Sequence, residues 1–263
     1  MPRSKYARKS TRPSFRRKTT RRTRASGPLR KKRFSKYRIA GSSGVRSGFS
    51  PAVFPQRMFK TFEFSSGSQK LAQTIGDVPV AYQFRGNSLY DPDYTGIGSQ
   101  PRWVDTFLGA SGGTQPYQRY CVLASKITVS VWQDPTLTGT NGSTAGVVAL
   151  IPMPGTSSTV PDSLKEIQER AFVRWVNVGN ANSHRPLILK HYAKTKGLWQ
   201  GINPLTDTTF SAQYNQNPNK EFTWSVMACN IISATGIDKF SCYYTVRIKY
   251  YCMLSTLNDV ANS

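Results

Sequence analysis

From Phe240 to Leu254 the chain keeps one phase for fifteen residues. Phe240, Cys242, Tyr244, Val246, Ile248, Tyr250, Cys252 and Leu254 alternate with Ser241, Tyr243, Thr245, Arg247, Lys249, Tyr251 and Met253. A period of two belongs to a strand with one buried and one open face. The same period recurs further back. Ile127, Val129 and Val131 alternate with Lys126, Thr128, Ser130 and Trp132, and Val78, Val80, Tyr82 and Phe84 alternate with Pro79, Ala81, Gln83 and Arg85. Arg57–Ser65, Val147–Met153, Phe172–Val178, Pro186–Tyr192 and Glu221–Ile232 bring the strand candidates to about eight, joined by loops rich in Gly, Pro, Asn, Asp and Ser.

One helix is signalled. Ser163-Leu164-Lys165-Glu166 is a capping box, in which the Ser hydroxyl and the Glu carboxylate each satisfy an orphan amide, and Leu164, Ile167 and Ala171 follow at helical spacing. Eight strands, long connections and one or two short helices define an all-β chain. An eight-stranded jelly-roll sandwich suits this length and these loops. Cys121, Cys229, Cys242 and Cys252 show no C-x-x-C spacing and sit in apolar segments, so buried reduced thiols are expected in place of disulfides or zinc, in a cytosolic or nuclear setting. The longest apolar run, Gly146 to Met153, is about ten residues short of a membrane span. No hydrophobic stretch follows the positive N-terminus, so no cleaved secretory signal is expected.

The charge is divided unevenly. Of 36 Lys+Arg residues, 17 lie within residues 1–38, and the first carboxylate is Glu63. The other 225 residues hold 19 cations and all 13 acids, a net of +6 within the chain's +23. The cations at the front are Arg3, Lys5, Arg8, Lys9, Arg12, Arg16, Arg17, Lys18, Arg21, Arg22, Arg24, Arg30, Lys31, Lys32, Arg33, Lys36 and Arg38, with Tyr6, Phe15, Phe34 and Tyr37 between them. So many like charges with few apolar side chains cannot offset chain entropy, and residues 1–40 read as a disordered basic arm. Gly41–Ser50, with three Gly and four Ser, reads as a hinge, and 51–263 as the folded body. Lys and Arg displace counterions from phosphates and aromatics stack on unpaired bases, so all 17 arm cations are candidate nucleic-acid contacts. An anionic membrane is the weaker partner, because the arm has no amphipathic aromatic face. Two clusters, Arg16-Arg17-Lys18 with Arg21-Arg22 and Arg30-Lys31-Lys32-Arg33, also read as nuclear localisation signals.

No catalytic constellation is present. His184 and His191 lack a partner motif for a metal or a general base, and each reads as a residue with a satisfied ring. The phosphate-cradling G-x-x-x-x-G-K-[ST] and G-x-G-x-x-G patterns do not occur. Asp91 and Asp93 are the nearest carboxylate pair, and Asp-Pro in a Gly-rich stretch favours turn chemistry over acid–base work. No catalytic residue, metal or cofactor is expected. Aromatics crowd the loop candidates, including Tyr90, Tyr94, Trp103, Phe107, Tyr117, Tyr120, Trp199, Phe210 and Tyr214. Burial by another copy of the chain makes Tyr90, Tyr94, Trp103, Phe107, Tyr117 and Trp199 candidate subunit-interface residues; packing of the loops over their own sandwich is the equal alternative. Arg57, Lys60, Arg247 and Lys249 would extend a nucleic-acid contact onto the body if their strand faces share one side, and would otherwise form a solvated face.

The arm from Met1-Pro2-Arg3 to Lys36-Tyr37-Arg38, the Asn87-Ser88-Leu89-Tyr90-Asp91-Pro92-Asp93 stretch, Gln115-Pro116-Tyr117 with Tyr120, and the Tyr-rich terminal strand together resemble the capsid proteins of circular Rep-encoding single-stranded DNA viruses, the circovirus-like group. The resemblance implies a jelly-roll capsid subunit assembled into a small icosahedral shell. Its arms would engage a packaged single-stranded DNA genome and host nuclear import receptors. It places the protein in the virion and the host nucleus, with other copies of itself as partners and no membrane insertion. A non-viral nucleic-acid-binding β protein with a basic tail, ribosomal or chromatin-associated, is the alternative.

Overall fold

A computed structural model describes residues 55–74, 78–94, 100–134, 145–155, 161–179, 185–231 and 239–257. The basic arm, the Gly/Ser hinge and His184 lie outside the described residues. Ten strands run in chain order: β1 (Arg57–Ser65), β2 (Gln69–Ala72), β3 (Val80–Arg85), β4 (Tyr117–Gln133), β5 (Gly146–Pro154), β6 (Arg174–Val178), β7 (Leu187–Lys194), β8 (Ser211–Gln213), β9 (Phe222–Asn230) and β10 (Ser241–Leu257). β2 and β8 are short additions to β10 and β4. The other eight pair in a nested antiparallel pattern, the first with the last (β1 with β10), then β3 with β9, β4 with β7, and β5 with β6. They form two sheets, in the orders β1-β10-β4-β7 and β3-β9-β5-β6. Nested pairing split across two sheets is a long hairpin rolled up on itself, which is the jelly roll.

The core lies between the sheets. Its largest fully buried side chains are Trp224, Tyr117, Tyr120, Tyr244 and Tyr250. Rings of this size bring a polar group into an apolar space, and each group is answered. Trp224 Nε1–H on β9 donates to Ser125 Oγ on β4 at 3.0 Å, joining the two sheets. The Tyr250 hydroxyl donates to the Arg85 carbonyl at 2.7 Å, the Tyr120 hydroxyl to the Gln216 carbonyl at 2.7 Å, and the Tyr117 hydroxyl to the Pro55 carbonyl at 2.8 Å.

The outer surface of the β3-β9-β5-β6 sheet is also covered in its middle. Val147, Ala149, Ile151, Met153, Met227 and Cys229 form a second apolar cluster with Ile167, carried by helix α2 (Leu164–Glu169). β9 is therefore buried on both faces along its whole length. The Ser163 hydroxyl accepts from Glu166 N–H as the capping box predicts. The Glu166 carboxylate reaches one residue further back than expected, to Asp162 N–H at 3.0 Å. The helix stops at Glu169, before Ala171, and Phe172 takes a left-handed φ of 64°, so the following strand starts at Arg174 and not at Phe172. Two four-residue helices, α1 (Val104–Phe107) and α3 (Thr195–Leu198), and a 3-10 turn at Thr208–Phe210 exceed the one or two helices expected.

β4 is ten residues longer than the alternation over 126–132 suggests. A bulge is the reason. Tyr251 pairs with Ala124 but Cys252 pairs with Val122, so Leu123 has no partner and the inward phase of β4 shifts by one residue. Residues 117–125 are nearly all buried or half-buried and carry no clean period.

Gly146 opens β5 where a Cβ would lie 2.4 Å from the ring of Phe240, itself fully buried. Gly146→Ala is expected to destabilise the body by about 1–3 kcal/mol through overpacking, read as a lower urea midpoint at unchanged slope.

Candidate functional site

The Asn87–Asp93 segment is a strap fastened to the end of the sandwich. Asn87 Oδ1 accepts from Phe222 N–H at 2.9 Å while its amide donates to the Lys220 carbonyl at 2.8 Å. The Ser88 hydroxyl donates to Asn217 Oδ1 at 2.6 Å. At the centre is Arg85, the last residue of β3. Its Nη1 meets Asp91 Oδ2 at 2.5 Å, its Nε meets Glu221 Oε2 at 3.0 Å, and the ring of Tyr94 lies 4.9 Å from its Cζ. The Tyr82 hydroxyl lies 2.8 Å from both oxygens of Asp93. Burial pushes the carboxyls of Asp91 and Glu221 up, and the guanidinium beside them offsets part of that rise. A guanidinium held by two carboxylates, with backbone carbonyls of Asp91 and Asp93 on the same Nη1, is a structural lock. Asp91 and Asp93 thus act as ties to Arg85 and Tyr82 in an extended strap, in place of the turn expected of Asp-Pro.

His191 is half-buried on β7, its ring packed 5.2 Å from Trp224, with Nε2 2.6 Å from the Phe172 carbonyl. Cys121, Cys229, Cys242 and Cys252 are free and buried. Burial pushes the thiols of Cys121 and Cys229 up to about 11 and that of Cys242 to about 12, and it also raises that of Cys252 well above the ordinary thiol value. Among the described residues no three His, Cys, Asp or Glu side chains gather as metal ligands would.

The six aromatics expected at a subunit interface divide. Tyr117 is a correction: it is the first residue of β4 and wholly buried in the chain's own core. Phe107 and Trp199 are half-buried, Phe107 edge-on to Phe62 and Trp199 edge-on to Phe210, so both pack on their own chain. Tyr90 and Tyr94 are exposed, Tyr94 against Arg85. Trp103 is the most open at 70% and sits at a left-handed φ of 69°. Phe172 matches it, 69% exposed and also left-handed; in the sequence it is hidden at the head of the strand-like run Phe172–Val178. Bulky residues adopt that backbone region at a cost, and two exposed aromatics held there are oriented outward by the fold.

The lysines and arginines of the body also separate by face. Arg57, Arg247 and Lys249 extend from the outer surface of the β1-β10-β4-β7 sheet. Lys60 has the opposite parity on β1 and sits 4.4 Å over the ring of Phe107, so it does not belong with them.

No protein-family model and no curated protein matches the chain. Solved structures do. A capsid protein of BFDV, crystallised as a decamer, is 10% identical over 75% of this chain and 99% of its own, with a TM-score of 0.32. Desmodium yellow mottle tymovirus is 13% identical over 79% of this chain and 91% of that one (TM-score 0.36). The Macrobrachium rosenbergii nodavirus particle is 10% identical over 79% and 99% (TM-score 0.38).

Two outcomes test the site's chemistry. Removing the guanidinium by Arg85→Met leaves Asp91 and Glu221 uncompensated, at an expected cost of about 3–5 kcal/mol near pH 7. Both carboxyls have raised pKa values, so the unpaired charge disappears as pH falls and the loss shrinks toward pH 4, measurable by urea unfolding at each pH. Iodoacetamide at pH 8 is expected to leave all four thiols of the folded body unlabelled and to label them after denaturation; labelling of the native protein contradicts the burial.

Proposed function

We propose that this chain is a viral capsid subunit of the circovirus-like kind. It assembles with copies of itself into a small closed shell and packages single-stranded DNA through residues 1–40. The observation that carries the reading is the division of charge: 17 cations without one acid in the first 38 residues, ahead of 225 residues with a net of only +6. The jelly-roll body is a rigid wall, and the tails of many assembled copies sum their charge against the self-repulsion of a condensed genome. Trp103 and Phe172 support assembly, since large exposed aromatics held outward mark surfaces that another molecule covers. The arm clusters Arg16–Arg22 and Arg30–Arg33 would be read by host import receptors, giving a nuclear stage before the virion. The body supplies packing and not catalysis.

Electron microscopy of the purified protein with single-stranded DNA tests the reading. Closed shells are expected; a chain that stays monomeric at high concentration with DNA present overturns it and favours the ribosomal or chromatin-associated alternative. Deleting residues 1–40 is expected to abolish most DNA binding and nuclear import while the body keeps its melting temperature. The salt dependence of the intact chain is expected to be steep, with a slope on the order of −12 if all 17 arm cations engage a single strand.

A further inference from the structure

The outer surface of the β1-β10-β4-β7 sheet is a continuous grid whose register is fixed by its ladders. One row across it reads Tyr192, Lys126, Lys249, Glu63, and the next reads Lys190, Thr128, Arg247, Ser65. Lys126 and Lys249 are thus direct cross-strand partners, both exposed. Like charges directly opposite one another destabilise a sheet. Arg57, Lys194 and Lys70, the last on β2 opposite Tyr243, bring the face to seven exposed cations. Among the described residues its one exposed carboxylate is Glu63, whose contact with Arg247 is long at 3.5 Å and more than half exposed on both sides, so it neutralises little; the buried Asp134 ties Lys70 at 2.6 Å and leaves the other six cations unanswered. Aromatic rings lie among the cations: Tyr192 is 48% exposed and meets Tyr251 edge to face at 6.1 Å across β4, and Trp132 is 36% exposed.

The opposite sheet has no such surface in its middle, where α2 and the second apolar cluster cover it. Among the described residues nothing covers this face, and cations set against cations with rings between them call for a partner of extended negative charge.

We infer that this face binds single-stranded nucleic acid, phosphates on Lys126, Lys190, Arg247 and Lys249, and unpaired bases on Tyr192, Tyr251 and Trp132. A phosphate chain supplies the charges that the Lys126–Lys249 pair needs to become favourable, and rings stack on bases irrespective of sequence. The bases must be unpaired, because a duplex keeps their faces stacked on each other. The site deepens the capsid reading, from which it takes its ligand: the body itself would hold the genome in addition to the arm.

The test is ultraviolet crosslinking of the full chain to oligo(dT), with the adducts located by mass spectrometry. Adducts at Trp132, Tyr192 or Tyr251 are expected, in addition to any in the arm. The double variant Lys126→Thr with Lys249→Thr is expected to lower the yield at those three residues several-fold, to leave arm adducts unchanged, and to reduce the salt slope by about 1–2. Lys190→Thr with Lys194→Thr, on the edge strand, gives the same readout should the central pair fail to fold. Adducts confined to residues 1–50, or an unchanged slope in a folded variant, overturn the inference. Equal adducts with duplex DNA of the same composition overturn the single-strand assignment. Shells that form while adducts stay in the arm leave the capsid reading standing without this site; adducts on the face without shells do the reverse.

Discussion

β10 is the strand on which the others depend. Over Ser241–Leu257 it is hydrogen-bonded along one edge to β1 and β2 and along the other to β4. Its inward residues from Cys242 to Leu254 are all buried, so a slip of one residue would turn Tyr244, Val246, Ile248 and Tyr250 into water. Two of those rings also fix their neighbours, one on the other sheet and one on the adjoining short strand. Tyr250 holds the carbonyl of Arg85, and Tyr244 reaches Gln69 on β2. The lock at Arg85, the strap beyond it and the Lys126–Lys249 pairing are all consequences of one register.

The acids of the body explain how a modest net charge coexists with a basic surface. Most of the described carboxylates are used as ties. Asp91 and Glu221 hold Arg85, and Asp93 holds Tyr82. Asp134 takes Lys70 and the Ser241 hydroxyl. Asp207 accepts from Thr209 and Lys220, which hold its carboxyl down at about 2. With these acids turned toward their own chain, the outward cations of one sheet stand almost without counter-charge. The modest net charge averages acids tied mostly within the chain with cations that mostly face out, and on that sheet face the two meet at Glu63–Arg247 and Asp134–Lys70.

How much of this could be read from residues alone depends on whether burial was one-sided. β10 has one wet face, and its alternation is unbroken. β4 has one too, but the bulge at Leu123 breaks the phase, so Tyr117 and Tyr120 read as loop aromatics when they are core. β9 is dry on both faces and gives no period, only β-forming and apolar content. β2 and β8, at four and three residues, are too short to show one. The lock escapes any local reading, because Glu221 is 136 residues from Arg85, and a lone Arg beside Asp-Pro looks like a turn. The outer cations were visible, but which of them share a face was not: Arg247 and Lys249 do, and Lys60 is on the other side of its strand.

Nested pairing also fixes an order in time. β1 cannot close its sheet until β10 exists, and their partners Arg57 and Ser255 are almost the whole body apart. At about 5–20 residues per second a ribosome needs roughly 10–40 s to travel that far. Throughout that interval Phe62 and Phe64, which end up buried, have no partner strand to cover them, while the basic segment ahead of them has already left the ribosome. A chain wound from both ends is thus born with its charge available and its wall unfinished, and whatever attends it during synthesis, chaperone or nucleic acid, meets the two in that sequence.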